Sequence, residues 1–274
     1  MPTVLITTDF SAASRHALDY ACALLHDKPV TLDLLHVFTI PVTYTTDGVA
    51  IVAMGNAIEQ AGNLMQDEVE RVRHAYPGIR IEGRVIAGSF LETLQQEARL
   101  THALFMILGT AGFGDIYLGD ADPLEALRSI PVPVLFIPLG AAFHPIRNIA
   151  FACNYAHTGP ETPVQGIVDW VRFMDAALDV VHTDAEPQGF NEQQATGEQW
   201  LKARLSLLNP RYHWIQDADV IRGLSSFLSS GGFDCLMVVP RRYGIWQNMF
   251  HRSRTKALAR LNRIPIIAFH RRER

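Results

Sequence analysis

Short apolar runs alternate with helix-period segments along this 274-residue chain, and the alternation completes its course twice. An apolar run of five or six residues bounded by turn residues reads as a buried strand. Strands that alternate with amphipathic helices cross over to parallel neighbours, with helices on both faces of the sheet. In the first pass the strands are residues 3–8, 30–38, 80–86, 103–108 and the run from Pro131. The helices between them are about 12–27, 51–75 and 90–101, then a short one before Pro131. Ser11 stands where an N-cap belongs, ahead of Ala13, Ala17, Ala21 and Leu24 at helical spacing. The second helix carries Ala57, Ala61, Leu64, Met65, Val69 and Val72 in phase.

The second pass has strands at 147–153, 178–182, 211–215, 234–239 and 264–269, and helices near 162–174, 191–208, 220–229 and 253–262. Asp9 and Asn154 end the first strand of each pass, 145 residues apart, and His36 and His182 end the second strands, 146 apart. Gly109 and Pro240 are 131 apart and Pro133 and Pro265 are 132 apart, so one repeat with a shortened middle accounts for all four pairs. The chain therefore predicts an α/β fold of two tandem, doubly wound, five-stranded parallel-sheet lobes with flanking helices. The lobes are 1–140 and 146–274, meeting in the loop 138–145.

In an open α/β sheet, ligands sit at the C-terminal ends of the strands. The apolar run from Ala103 stops at Gly109, and Gly112, Gly114 and Gly119 follow. Glycines there let backbone N–H groups approach phosphate oxygens, helped by the positive end of the next helix. Asp9 can accept from a ribose hydroxyl or an adenine amine, or serve as a loop carboxylate that caps the helix. Ten of the 24 Lys/Arg but one of the 28 Asp/Glu lie from Pro240 onward. There, Ser253 at an expected helix start, with Arg241, Arg242 and Arg254, makes a second candidate anion site, while a plain N-cap with a solvated basic face is the other reading. Cys22, Cys153 and Cys235 are far apart and odd in number, and read as buried small residues in a reducing compartment. No charged-then-apolar leader and no 18-residue apolar run is present, which predicts a cytoplasmic protein off the membrane. Ser230-Gly-Gly-Phe-Asp234 follows a helix and opens a strand, so it reads as a helix-ending turn, not a phosphate loop. No P-loop, zincin or nucleophile-elbow motif occurs. His36 and His182 show no metal-ligand spacing and read as structural.

Val4-Leu-Ile-Thr-Thr-Asp9-Phe-Ser11, Leu34-Leu-His-Val37, the Gly109 loop and Pro131-Val-Pro-Val134 together resemble a tandem universal stress protein, over essentially the whole chain. The resemblance implies strand order 3-2-1-4-5 in each lobe and internal pairing of the two lobes, with a homodimer as a further assembly. It implies Thr8, Asp9 and Val37 on the adenosine side of a site, and Gly109, Gly112, Gly119 and Asp120 on the phosphate side. ATP-binding members carry G-x2-G-x9-G-(S/T). Here Gly119 follows Gly112 three residues early, and Asp120 brings a negative charge where a hydroxyl donor belongs. In the second lobe Pro240, which has no N–H, takes the place of the first glycine. The function expected is a non-catalytic, stress-response module that binds ATP, another adenine nucleotide or a small ligand, with Mg2+ entering only beside a nucleotide. Its alternatives are a slow ATPase and an interaction protein acting through its dimer surface and basic C-terminal lobe. Neither nucleic acid nor a membrane is an expected partner.

Overall fold

The computed structural model describes residues 1–39, 48–112, 118, 123–184, 191–240 and 261–270. They fall into two compact units. One is Met1–Ala111 with the residues up to Leu139, and the other runs from Gly140 onward and also takes in Gly112.

The first unit holds β1 (Thr3–Thr7), α1 (Ala12–Leu25), β2 (Thr31–Phe38), α2 (Gly48–Ala75), β3 (Arg80–Ala87), α3 (Phe90–Leu100), β4 (Met106–Thr110), α4 (Pro123–Ser129) and β5 (Val134–Pro138). The strands lie in the order β3-β2-β1-β4-β5 and every adjacent pair is parallel. This is the 3-2-1-4-5 order expected. Val4, Leu5 and Ile6 are fully buried, as are Leu34, Leu35, Met106 and Ile107. A central strand covered on both faces needs such unbroken apolar runs, and each buried side chain contributes about 1.5–3 kcal/mol. Ala17, Leu18, Ala21, Cys22 and Leu25 turn one stripe of α1 to the core, and Ala61, Met65, Val69 and Val72 do the same for α2.

The second unit repeats the plan. It holds β6 (Asn148–Cys153), a 3-10 turn at Tyr155–His157, α5 (Val164–Met174), β7 (Ala177–Asp184), α6 (Glu192–Leu205), β8 (Arg211–Gln216), α7 (Val220–Gly231), β9 (Cys235–Val238) and β10 (Ile266–Ala268). Its strands run β10-β9-β6-β7-β8, all parallel, so the order is again 3-2-1-4-5 read from the third strand. Gly232 ends α7 in the left-handed region, φ 65°, which identifies Ser230-Gly-Gly as a helix-ending turn. The helix expected near 253–262 lies outside the described residues except at its last two positions.

Two boundaries differ from the sequence expectation in a way that bears on the site. Gly109 is not the first residue of a loop. It is still in β4, paired in register with Ile137, and Thr110 follows it in the strand. The first turn of α1 explains why: a Cβ on Gly109 would run into the backbone of Ala13 and Ser14. The second difference is the 3-10 turn after β6, where the first lobe goes straight into α1 through Ser11.

Candidate functional site at the strand ends of the first lobe

β1 delivers Thr8 and Asp9 to the C-terminal edge of the sheet, between β2 and β4. Thr8 is buried and fully engaged. Its N–H donates to Leu35 O (2.9 Å), its hydroxyl donates to Ser14 Oγ (3.2 Å) and accepts from Phe10 N (3.0 Å). Its carbonyl accepts from His36 Nδ1 (2.7 Å). A carbonyl can only accept, so that nitrogen carries a proton, which ties the end of β2 to the end of β1. Val37, next along β2, is buried. Phe10 has φ 61°, a left-handed conformation that is strained for a bulky residue, and its ring lies 4.7 Å from that of His36.

Asp9 is exposed at this edge. One oxygen accepts from Ser11 N (3.0 Å), and Ser11 Oγ in turn accepts from Ser14 N (3.3 Å) as the N-cap of α1. Partial burial works to raise the Asp9 pKa. Hydrogen bonds from Ser11 and Ser14 outweigh it and hold the carboxyl below its usual value. The site therefore presents an ionised carboxylate at the positive end of a helix, with one oxygen oriented by the turn. Both sequence readings of Asp9, acceptor and turn carboxylate, describe the same geometry.

Thr8, Asp9, Val37 and Gly109 thus converge on the ends of β1, β2 and β4. Gly112 is buried and groups with the second unit. Gly119, Asp120, Arg241, Arg242, Ser253 and Arg254 lie outside the described residues. Sequence reasoning overlooked Phe10 and Ser14, although Ser11 and Ser14 at i and i+3 carry the N-cap spacing that would have found the second.

The second lobe copies the turn but not its charge. Asn154 Oδ1 accepts from Ala156 N at 2.9 Å, as Asp9 accepts from Ser11. The aromatic residue that follows, Tyr155, packs on His182 as Phe10 does on His36. A further pair matches across the lobes. Asp33 on β2 and Asp179 on β7 are both buried and lie 146 positions apart. Arg84 of β3 joins Asp33 (Nε to Oδ1, 3.0 Å) to the buried Glu97 (2.7 Å), while Asp179 takes Arg211 (2.8 Å) and His213 from β8. The hydrogen bond to Asp33 leads in holding the Arg84 guanidinium firmly charged. Each acid pins the outermost strand of its lobe, away from the strand ends where a ligand would sit. Spacing shows the repeat, Leu32-Asp-Leu-Leu-His36 against Leu178-Asp-Val-Val-His182. Among the described residues, no group of three or more His, Cys, Asp or Glu could hold a metal, and no helix is long and apolar enough to cross a membrane.

The family model of the universal stress protein family matches residues 1–138, more than half of the chain. The chain belongs to that family. Among solved structures, a universal stress protein from Archaeoglobus fulgidus matches 98% of this chain and 96% of its own, at 14% identity and a TM-score of 0.62. A functionally unknown protein from Pseudomonas aeruginosa matches 99% of this chain and 93% of its own, at 12% identity and a TM-score of 0.55. At such identities the likeness is one of fold. A universal stress protein from Arabidopsis thaliana, solved with AMP bound, matches 50% of this chain and 91% of its own at 16% identity and a TM-score of 0.36. No curated protein matches the chain significantly in sequence.

Proposed function

We propose that this protein is a non-catalytic ligand-binding module of the stress response whose first lobe, 1–140, takes one adenine nucleotide, while the lobe 146–274 takes none. The observation that carries the reading is Asp9: an exposed, ionised carboxylate at the strand ends, anchored by Ser11 N and able to accept from a ribose hydroxyl or an adenine amine. Thr8, Val37 and the His36 contact supply a rigid wall on the nucleoside side. Gly109 and Gly112, with Gly119 and Asp120 beyond them, are assigned to the phosphate side. The early Gly119 and the charge of Asp120 favour a monophosphate over a triphosphate, since each added phosphate brings more negative charge to a carboxylate. Mg2+ enters this reading only with the phosphates, with Asp120 as the side chain near enough in sequence to share it. Slow hydrolysis of ATP is the lesser alternative. The reading includes a cytoplasmic location, consistent with three buried free thiols, and lobes that pair within the chain.

Calorimetric titration with AMP, ADP and ATP, with and without magnesium, tests it, together with release of inorganic phosphate from ATP. Saturable binding of AMP at least as tight as that of ATP, with no phosphate release, is expected. Turnover of ATP, or heat with none of the three, overturns it. The second reading, an interaction protein working through its basic C-terminal part, is favoured by Asn154, which leaves that lobe without the charged acceptor.

A further inference from the structure

The second lobe has the same strand order as the first, so an open parallel sheet of this kind would place a ligand at the C-terminal ends of β6 and β7. Just beyond the end of β6 a side chain of the chain itself is packed inward. Tyr155, two residues beyond β6, is 1% exposed, and its ring lies flat on the imidazole of His182, with 4.4 Å between centroids and 5° between planes. A nucleobase held by a stacking residue adopts the same relation. Trp214 of β8 meets His182 edge-on at 4.5 Å and Tyr155 at 6.5 Å, so a second ring closes the side of the stack.

The backbone fixes Tyr155 as firmly as the rings do. Tyr155 N donates to His182 Nδ1 at 3.1 Å, so this nitrogen accepts, the reverse of His36 in the first lobe. The Thr158 hydroxyl lies 3.0 Å from Tyr155 O and 2.8 Å from Gly197 O. A Cβ on Gly197 would collide with the Tyr155 carbonyl, so α6 seats on the turn backbone to backbone. Burial pushes the Tyr155 pKa up, and Cys153, Glu198 and Tyr212 push the same way, so the phenol stays neutral. The first lobe has Phe10 at this repeat position, only partly buried and tilted 37° to His36, beside an exposed Asp9.

We infer that Tyr155 is the built-in occupant of the second lobe's crevice. The lobe is held in a filled state with no diffusible ligand, and the pocket around the ring is shaped for a neutral planar aromatic: a phenol or an uncharged base. Response to a ligand is then confined to the first lobe.

The test is Tyr155→Ala probed with p-cresol, which is the tyrosine side chain as a free molecule. A cavity of ring size left by a truncated side chain can take up the missing ring as a free molecule. The variant is expected to melt below wild type, to bind one p-cresol per chain by calorimetry, and to recover part of its lost melting temperature in p-cresol, whereas wild type shows no shift. A folded variant that ignores p-cresol, or a wild-type protein that responds as strongly, overturns the inference. Should Tyr155→Ala fail to fold, hydrogen exchange on wild type decides. The Tyr155 amide is expected to be protected without ligand and unchanged by AMP. Rapid exchange, or protection that appears only with AMP, overturns it. The two readings fail separately: no AMP binding removes the first-lobe site and leaves this inference, and two AMP per chain removes this inference and leaves the first-lobe site.

Discussion

Replacing Gly109 with alanine separates two reasons for a glycine at that position. If the glycine serves only to let phosphate approach the backbone, alanine weakens ligand binding and leaves stability alone. The packing predicts otherwise. The three atoms nearest to a Cβ there are Ala13 O, Ala13 C and Ser14 Cα, all backbone of the first turn of α1. Backbone cannot rotate aside as a long side chain can, so α1 must shift or β4 must bend. Overpacking of this kind costs about 1–3 kcal/mol, against which a strand glycine lost returns about 0.5–1 kcal/mol. The net is a loss of roughly 1–2 kcal/mol, or about 4–8 °C in melting temperature at about 4 °C per kcal/mol for a lobe of this size. Gly62 is the control. It sits in α2, exposed, with nothing within 4 Å of its added Cβ. Gly62→Ala should raise stability by about 0.5–1 kcal/mol through helix propensity. Urea unfolding of both variants reads the two signs in one assay. A Gly109→Ala protein as stable as wild type would refute the close approach of α1 to β4, and with it the reason given for Gly109.

Three further outcomes follow from the same geometry. Arg84→Met should cost about 3 kcal/mol in urea unfolding, because it strands Asp33 and Glu97 as buried carboxylates without their shared cation; a loss under 1 kcal/mol would mean the triad is only a surface pair. Asp179→Asn should raise amide exchange across β8 and leave β1 unchanged, since Arg211 and His213 reach that carboxylate from the outer strand; equal exchange in both proteins would remove its anchoring role. For Asp9 the folded pKa lies below the usual 3.8, so its charge contributes stability above that pH, which is lost as pH falls through the folded value. The stability difference between wild type and Asp9→Ala should therefore be constant at neutral to mildly acidic pH and shrink only below 3.8; a difference that already fades near neutrality would contradict the Ser11 and Ser14 hydrogen bonds.

Much of the fold was legible because its signals are local. The apolar runs at Thr3, Thr31 and Met106 announce buried parallel strands, Ser11 announces the start of α1, and the His36/His182 spacing announces the repeat. The site was legible at Asp9 for the same reason, as the residue between a strand and an N-cap. What escaped notice depends on partners far along the chain. Gly109 looked like the opening of a loop, and only the approach of Ala13 shows why a glycine is needed inside β4. Asp33 drew no reading from the sequence, since its partner Arg84 lies 51 residues away and is brought near by parallel register. Tyr155 carried no signal of its role, because the plane of one ring against another is a tertiary fact.

The most direct measurement is a calorimetric titration of AMP into the wild-type protein and into Asp9→Ala, with melting temperatures recorded alongside. The account predicts one AMP per chain in wild type and no detectable heat of binding in the variant, whose fold survives because Asp9 is exposed. Binding of equal strength in both proteins, or none in wild type with or without magnesium, would contradict it.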